Sequence, residues 1–275
     1  MDNGVIASII TSHTPRMGVE EGAPDFVQPL IDGSRAMGEW IRSQEPDLVV
    51  IHTTHWVSTF NWYATCQEIN AGRCVAEEAP ELIGGLPYRY LGDPEFARAL
   101  IDAATQASVP FLANDCEHYH WDYGTYVPMK YLDPQAKLPV VSIPTVIMAD
   151  LDECHAVGRA VHTAAVASNR RVVFIASTAM THLLVRGPAT WPLPEHQELD
   201  LQLLQMLREG RVAEAIAWFP EYARIVKAEM GGRVLAGFLG SLEAMSAAPY
   251  GSQTFSPYAQ SSASGNICIA FSPLL

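Results

Sequence analysis

The chain has 275 residues, 49% of them hydrophobic, and a formal net charge of -13. That length and apolar content suit one domain with a sizeable core, read here as residues 1–275. An acidic chain is repelled by phosphate backbones and anionic lipid, so nucleic acid and membrane surfaces are excluded as natural partners. An anionic substrate would have to be met by a local basic group. The five cysteines, Cys66, Cys74, Cys116, Cys154 and Cys268, are scattered without a CxxC pair, which suits a reducing compartment. The opening MDNGVIASII carries an acid where a secretion signal carries Lys or Arg. No apolar run approaches the roughly 20 residues that span a bilayer, and a cytoplasmic location is expected.

Taken in chain order, residues 5–10 read as a buried strand and 26–42 as a helix. Residues 48–51 read as a second strand. A helix is predicted over 94–107, with Pro94 at its start, where a missing N–H costs nothing. Residues 140–143 form the next strand, 151–167 a helix and 172–176 a further strand. A helix over 195–209 is stopped by Gly210, and a short one follows over 211–219. Residues 232–245 place Val234, Leu235, Phe238, Leu239 and Leu242 at helical spacing. Residues 251–265, rich in Ser, Gly and Pro, read as a loop before a last strand at 267–271. Short, uninterrupted, β-branched runs are the pattern of strands covered on both faces. Their alternation with helices predicts an α/β fold: a central, largely parallel or mixed sheet with helices on both faces.

Three of these strands end alike. Residues 5–10 run into Thr11-Ser12-His13, 48–51 into His52-Thr53-Thr54-His55-Trp56, and 172–176 into Ser177-Thr178-Ala179-Met180-Thr181-His182. Ligands of open α/β sheets bind at the carboxyl ends of the strands. If the three strands are parallel, their histidines gather at one edge, as a metal or acid–base site requires. One such histidine alone is more often a loop or packing residue; three on one edge weigh the other way. Two histidines and one carboxylate leave open positions on iron(II), and the same trio also binds catalytic zinc. HExxH is absent, and spacing does not choose among the thirty acids.

Further segments make the chain recognisable. They are Ser12-His13-Thr14-Pro15, Thr54-His55-Trp56, the run Asp122-Tyr123-Gly124-Thr125-Tyr126-Val127-Pro128-Met129-Lys130-Tyr131, and Ala176 to His182. Leu86-Pro87-Tyr88, Gly92-Asp93-Pro94-Glu95, Phe219-Pro220-Glu221-Tyr222-Ala223 and Gly265-Asn266 add to them. In this order they make the chain resemble the class III extradiol dioxygenases, in particular their homoprotocatechuate 2,3-dioxygenase branch.

The resemblance implies an Fe(II) enzyme that opens a catechol-type ring next to the diol and incorporates both atoms of O2. A 2-aminophenol ring is the other substrate type it implies. His13 and His55 are then metal ligands, and Glu229 is the carboxylate, with Glu243 the other acid of that region. His182 matches the active-site histidine, and imidazole titrates in the range needed to move substrate protons. Tyr123 stands where the protocatechuate 4,5-dioxygenase type carries histidine, so a phenol is expected to hydrogen-bond oxygen there. His118 and His120 are the nearby imidazoles, readable also as exposed loop residues. His52 reads as a strand-end residue or a neighbour of the ligands.

Trp56 and Trp62 read as pocket walls or as core. Arg16 and Arg186, which follow His13 and His182, read as partners for a substrate carboxylate or as surface cations. The resemblance also implies a homo-oligomer or pairing with a sister subunit, this chain being the catalytic one because both histidines and the glutamate are present. Two other classes stand beside this reading. One is a zinc-dependent relative or a hydrolase using the same trio. The other is a non-catalytic binding protein on the same fold, against which the presence of His182 argues.

Overall fold

The computed structural model describes residues 3–245 and 249–273. β1 (Gly4–Thr11) is followed by α1 (Gln28–Ser43) and β2 (Leu48–Ser58). A peripheral group comes next: β3 (Trp62–Thr65), β4 (Ile69–Val75), β5 (Gly84–Leu91), α2 (Pro94–Gln106) and β6 (Phe111–Asn114). Then come α3 (Tyr123–Leu132), β7 (Val140–Val146), α4 (Leu151–Ala167) and β8 (Arg171–Ser177). Three helices follow, α5 (Pro194–Arg208), α6 (Val212–Ile225) and α7 (Arg233–Met245). The last elements are β9 (Tyr250–Thr254), β10 (Ala259–Ser261), β11 (Ser264–Asn266) and β12 (Ile269–Pro273).

Six strands form the central mixed sheet, in the order β7-β2-β8-β1-β12-β9. The first four are mutually parallel. β12 pairs antiparallel with β1, and β9 antiparallel with β12. Helices flank both faces. On β8, Val172, Phe174 and Ala176 join the core beneath α4 and α7, while Val173 and Ile175 join the core beneath α1 and α3. Two-sided burial is why the strand sequences are uninterrupted apolar runs. Each such Val, Ile or Phe side chain contributes roughly 1.5–3 kcal/mol relative to exposure.

The register aligns the strand ends. Thr11 on β1 pairs with Ser177 on β8, and Ser177 also pairs with Thr53 on β2. β1 and β8 end at this level, while β2, expected to end at Ile51, runs on through His55 to Ser58, so the three histidine-bearing segments meet at one edge with His55 inside its strand.

The structure differs from the sequence expectations in several places. Residues 251–265 were expected as loop but contain most of β9 and all of β10 and the start of β11. β9 is an exposed edge strand, so its Ser, Gln and Thr side chains face solvent. β10 and β11 form a hairpin whose two turn residues, Ser262 (φ 51°) and Ala263 (φ 66°), are both left-handed, the geometry that matches strand twist. The last strand lies two residues further on than expected. The helix expected over 211–219 continues through Pro220 to Ile225, because Tyr222 and Ala223 extend its buried face. His52, expected at a strand end, is inside β2 and fully buried against Trp62 and Phe174. Among the described residues, no helix is long and apolar enough to cross a membrane, and the five cysteines are free thiols.

Candidate metal centre

His13 follows β1 directly and is buried. His55 owes its place to an irregularity in β2. That strand advances from His52 to Val57 while its partner β7 advances only from Ile143 to Thr145. The surplus residues bow out as a bulge, a common device for re-aiming side chains beside active sites.

Asp122 fastens this bulge. Its Oδ1 accepts the Thr53 hydroxyl at 2.6 Å, and the same carboxylate caps α3 by accepting the Thr125 N–H (3.1 Å) and hydroxyl (2.9 Å). Thr53 Oγ1 in turn accepts the His55 N–H at 3.3 Å. A Cβ on Gly124 would lie 2.4 Å from Thr53 Oγ1, so the helix can approach the bulge this closely only with glycine there. The Asp122-Tyr123-Gly124 run thus has a packing reason beyond any chemistry of its own.

Glu229 sits in a contorted turn before α7. Lys227 (φ 53°), Met230 (φ 47°), Gly231 (φ 69°) and Gly232 (φ 84°) are all left-handed. For Lys227 and Met230 this costs about 1 kcal/mol or more each, strain that clusters at functional sites. The segment after β8 holds the glutamate in place. Glu229 Oε2 accepts the Ala179 N–H at 2.6 Å and the Thr178 hydroxyl at 3.1 Å, and the Glu229 N–H donates to the Met180 carbonyl at 3.2 Å.

Its other oxygen, Oε1, meets the imidazoles. It lies 3.4 Å from His13 Nε2, 3.8 Å from His55 Nε2 and 3.1 Å from His182 Nε2. The Nε2 atoms of His13 and His55 are 3.1 Å apart. These edges of 3.1, 3.4 and 3.8 Å match three donors on one face of an ion bonded at about 2.1 Å. His13, His55 and Glu229 can therefore hold a metal ion.

The electrostatics agree with a cation site. Burial alone would raise the Glu229 carboxyl, yet His13, His182 and His55 together hold it well below the usual carboxylate range. Burial, the largest single effect, would lower His13, but the charge and hydrogen bond of Glu229, with the charges of Asp122 and Glu78, together outweigh it and His13 is raised. His55 is pushed down, by burial first and by the neighbouring His13 second. That direction favours the neutral imidazole, the form in which histidine binds a metal.

Glu78, from the loop between β4 and β5, completes the cluster. Its Oε1 lies 3.3 Å from His55 Nδ1 and accepts the Tyr123 hydroxyl at 2.6 Å. Burial and then the Glu78 bond drive the Tyr123 phenol far up, so it remains a neutral donor. The His55 and Tyr123 rings lie 4.0 Å apart.

A cavity of about 550 Å³ opens on these groups, lined by His13, His55, Glu78, Tyr123, His182 and Glu229, and also by Arg16, Glu81, Leu82 and Leu184. Ser261, Ser264 and Asn266, from the β10–β11 hairpin, form another wall. The structure thus brings together His13, His55, Glu229, His182, Tyr123 and Arg16. Trp56 and His120 line an adjoining cavity of about 530 Å³ that shares His55, Glu78 and Tyr123. His120 is exposed and packs over Gly72. Arg186 is exposed on the loop after His182 and lines neither cavity. Glu243 pairs with Arg159 (3.0 Å) and His155 (3.5 Å), at the other end of α7 from Glu229. Sequence reasoning missed Glu78, for no motif marks the Glu77-Glu78 pair. It also missed the grip of Thr178 and Ala179 on Glu229, although the segment itself stood out.

A family model described as the catalytic LigB subunit of aromatic ring-opening dioxygenase matches residues 7–264. The chain belongs to this family. It is an aromatic ring-opening dioxygenase, an oxidoreductase of the class III extradiol type. Two curated relatives are similar to this LigB-family chain. The 3,4-dihydroxyphenylacetate 2,3-dioxygenase of Escherichia coli is 25% identical over 203 residues, 71% of this chain and 74% of that one. The 2-aminophenol 1,6-dioxygenase beta subunit of a Pseudomonas species is 25% identical over 255 residues, covering 84% and 83%. The alpha subunit of that enzyme is also similar, 23% identical over 217 residues, covering 75% and 78%. Among solved structures, an uncharacterized protein of Escherichia coli K12 superposes with a TM-score of 0.62 over 97% of this chain and 99% of that one. At 15% identity, that likeness is one of fold.

Proposed function

We propose that this LigB-family chain is an iron(II)-dependent extradiol dioxygenase that opens a catechol-type ring beside its diol and incorporates both atoms of O2. The observation that carries the reading is the face of three donors, His13 Nε2, His55 Nε2 and Glu229 Oε1, at the floor of the cavity. Two histidines and one carboxylate are the ligand set of non-haem iron(II) oxygenases. Bound there, iron(II) supplies the electron transfer that joins the ring to O2.

The chain's own residues do the rest. His182 Nε2, on the cavity wall 3.1 Å from Glu229 Oε1, is placed to take a proton from the ring hydroxyl and return one later. Tyr123 packs against His55 and lines the cavity beside it. Arg16 is a cation of the cavity lining, where a carboxylate on the ring would pair with it. Trp56 and His120 act from the adjoining cavity, and the exposed Arg186 only through movement of its loop. We read the chain as cytoplasmic and as one catalytic domain. It assembles either with itself or with a sister subunit, as the alpha and beta names of the aminophenol relatives suggest.

A 2-aminophenol substrate is the second reading, supported by the likeness to the beta subunit over 84% of the chain. One experiment tests both: anaerobic loading of metal-free protein with Fe(II), then O2 uptake and ring-opened product absorbance over a panel of catechols and aminophenols. Turnover of either type with iron supports the reading. Turnover restored by Zn(II) and not by Fe(II) would sink it.

A further inference from the structure

We propose that Glu78 is a positioning residue for the metal centre: its carboxylate accepts the Nδ1–H of His55 and so fixes the tautomer and ring angle with which Nε2 ligates. This deepens the proposed function, since it rests on the reading of His55 as a metal ligand.

The geometry carries it. An imidazole that ligates through Nε2 must keep its proton on Nδ1, and a carboxylate accepting that proton both selects the tautomer and makes the ring a better donor. Glu78 Oε1 lies 3.3 Å from His55 Nδ1, while His55 Nε2 faces His13 Nε2 on the opposite side. The two ligand histidines differ in this. His13 Nδ1 is buried and meets no hydrogen-bond partner among the described residues. Only the His55 ring is held from behind.

The loop is built to hold Glu78 there. The turn closes with the Ala79 N–H on the Ala76 carbonyl (2.9 Å), and the loop closes with the Ile83 N–H on the Ala79 carbonyl (3.3 Å). Ala76 and Ile83 are fully buried. A Cβ on Gly18 would lie 2.3 Å from Ile83, so the loop rests directly on the chain that follows His13. Tyr123 adds a second anchor by donating to the same Oε1 at 2.6 Å. Its hydroxyl proton is thereby committed to Glu78, and Tyr123 acts on the centre through Glu78 and His55.

The test uses full-length, metal-free protein and Zn(II) as the probe. Zinc affinity is measured by competition with a chromophoric chelator, and the His55 Nδ1–H resonance by NMR of the 15N-histidine-labelled, zinc-loaded protein. Glu78→Ala is expected to weaken zinc binding about tenfold or more and to shift the His55 Nδ1 signals while leaving those of His13 in place. Glu77→Ala removes the same charge one residue away and is expected to keep the wild-type affinity. His55→Ala is expected to abolish binding. Loss of zinc in His55→Ala with wild-type affinity in Glu78→Ala overturns the role of Glu78 and leaves the centre standing. Wild-type affinity in His55→Ala overturns the centre itself, and Glu78 with it. Equal shifts of His13 and His55 in Glu78→Ala would mean general loosening and also overturn the proposal.

Discussion

The N–H of Ala179 donates to Glu229 Oε2 at 2.6 Å, and this bond turns the other carboxylate oxygen toward three imidazoles. A strand end therefore sets the aim of a carboxylate fifty residues later in the chain. The Thr178 hydroxyl shares the task at 3.1 Å. Thr178→Val keeps the side-chain shape and removes that donor. It is expected to lower metal affinity about tenfold with the fold intact, measured by chelator competition beside the circular dichroism spectrum. Unchanged affinity would show that the Ala179 N–H suffices.

His182 and Glu229 meet at 3.1 Å, but their roles separate on substitution. His182→Ala should retain metal and lose turnover by about 10²- to 10⁴-fold, the usual range for an acid–base group. Glu229→Ala should lose the metal. Metal content and steady-state O2 uptake on the same samples make the distinction. A His182→Ala enzyme with full turnover would remove it from proton transfer.

The contact between α3 and the β2 bulge should be intolerant of a single methyl group. Gly124→Ala puts a carbon 2.4 Å from Thr53 Oγ1, which is itself bonded to Asp122 and to the His55 N–H. Overpacking of this kind costs about 1–3 kcal/mol. Because the strain falls on the bulge, metal affinity should fall along with stability in urea unfolding. Loss of stability alone would uncouple the bulge from His55.

Asp200 gives a pH signature away from the metal. It is fully buried and accepts the hydroxyls of Tyr222 and Tyr258, both at 2.6 Å, and the Thr181 N–H at 3.1 Å. Burial outweighs these bonds and raises its pKa to about 6 from an ordinary 3.8. The folded state thus binds this proton more tightly than the unfolded one. The stability it contributes is complete below about pH 4 and is lost as pH rises to about 6, on the order of 3 kcal/mol in all. In Asp200→Asn that slope should vanish. Urea midpoints at pH 4 and pH 7 for both proteins read the difference, and identical slopes would refute the assignment.

The β1, β2, β7 and β8 cores were legible because strands buried on both faces leave uninterrupted apolar runs. β4 and β5 were not. Along β4 (INAGRCV) and β5 (GGLPYRYL) buried and exposed residues mix, and Gly and Pro read as turns. With those strands unread, Glu78 had no visible place, and its partners His55 and Tyr123 are distant in sequence. His13, His55 and His182 were visible because each comes soon after an uninterrupted apolar run. Glu229 was reached only by resemblance, since its position depends on left-handed residues at Lys227 and Met230 that no local pattern announces. His52 shows the limit of proximity. Three residues from His55, it points into the core, where burial holds it down to about 3.

The most direct measurement is anomalous diffraction at the iron edge from crystals loaded anaerobically with Fe(II). A single peak is predicted at about 2.1 Å from His13 Nε2, His55 Nε2 and Glu229 Oε1. A peak held by other residues, or none at full loading, would contradict the account.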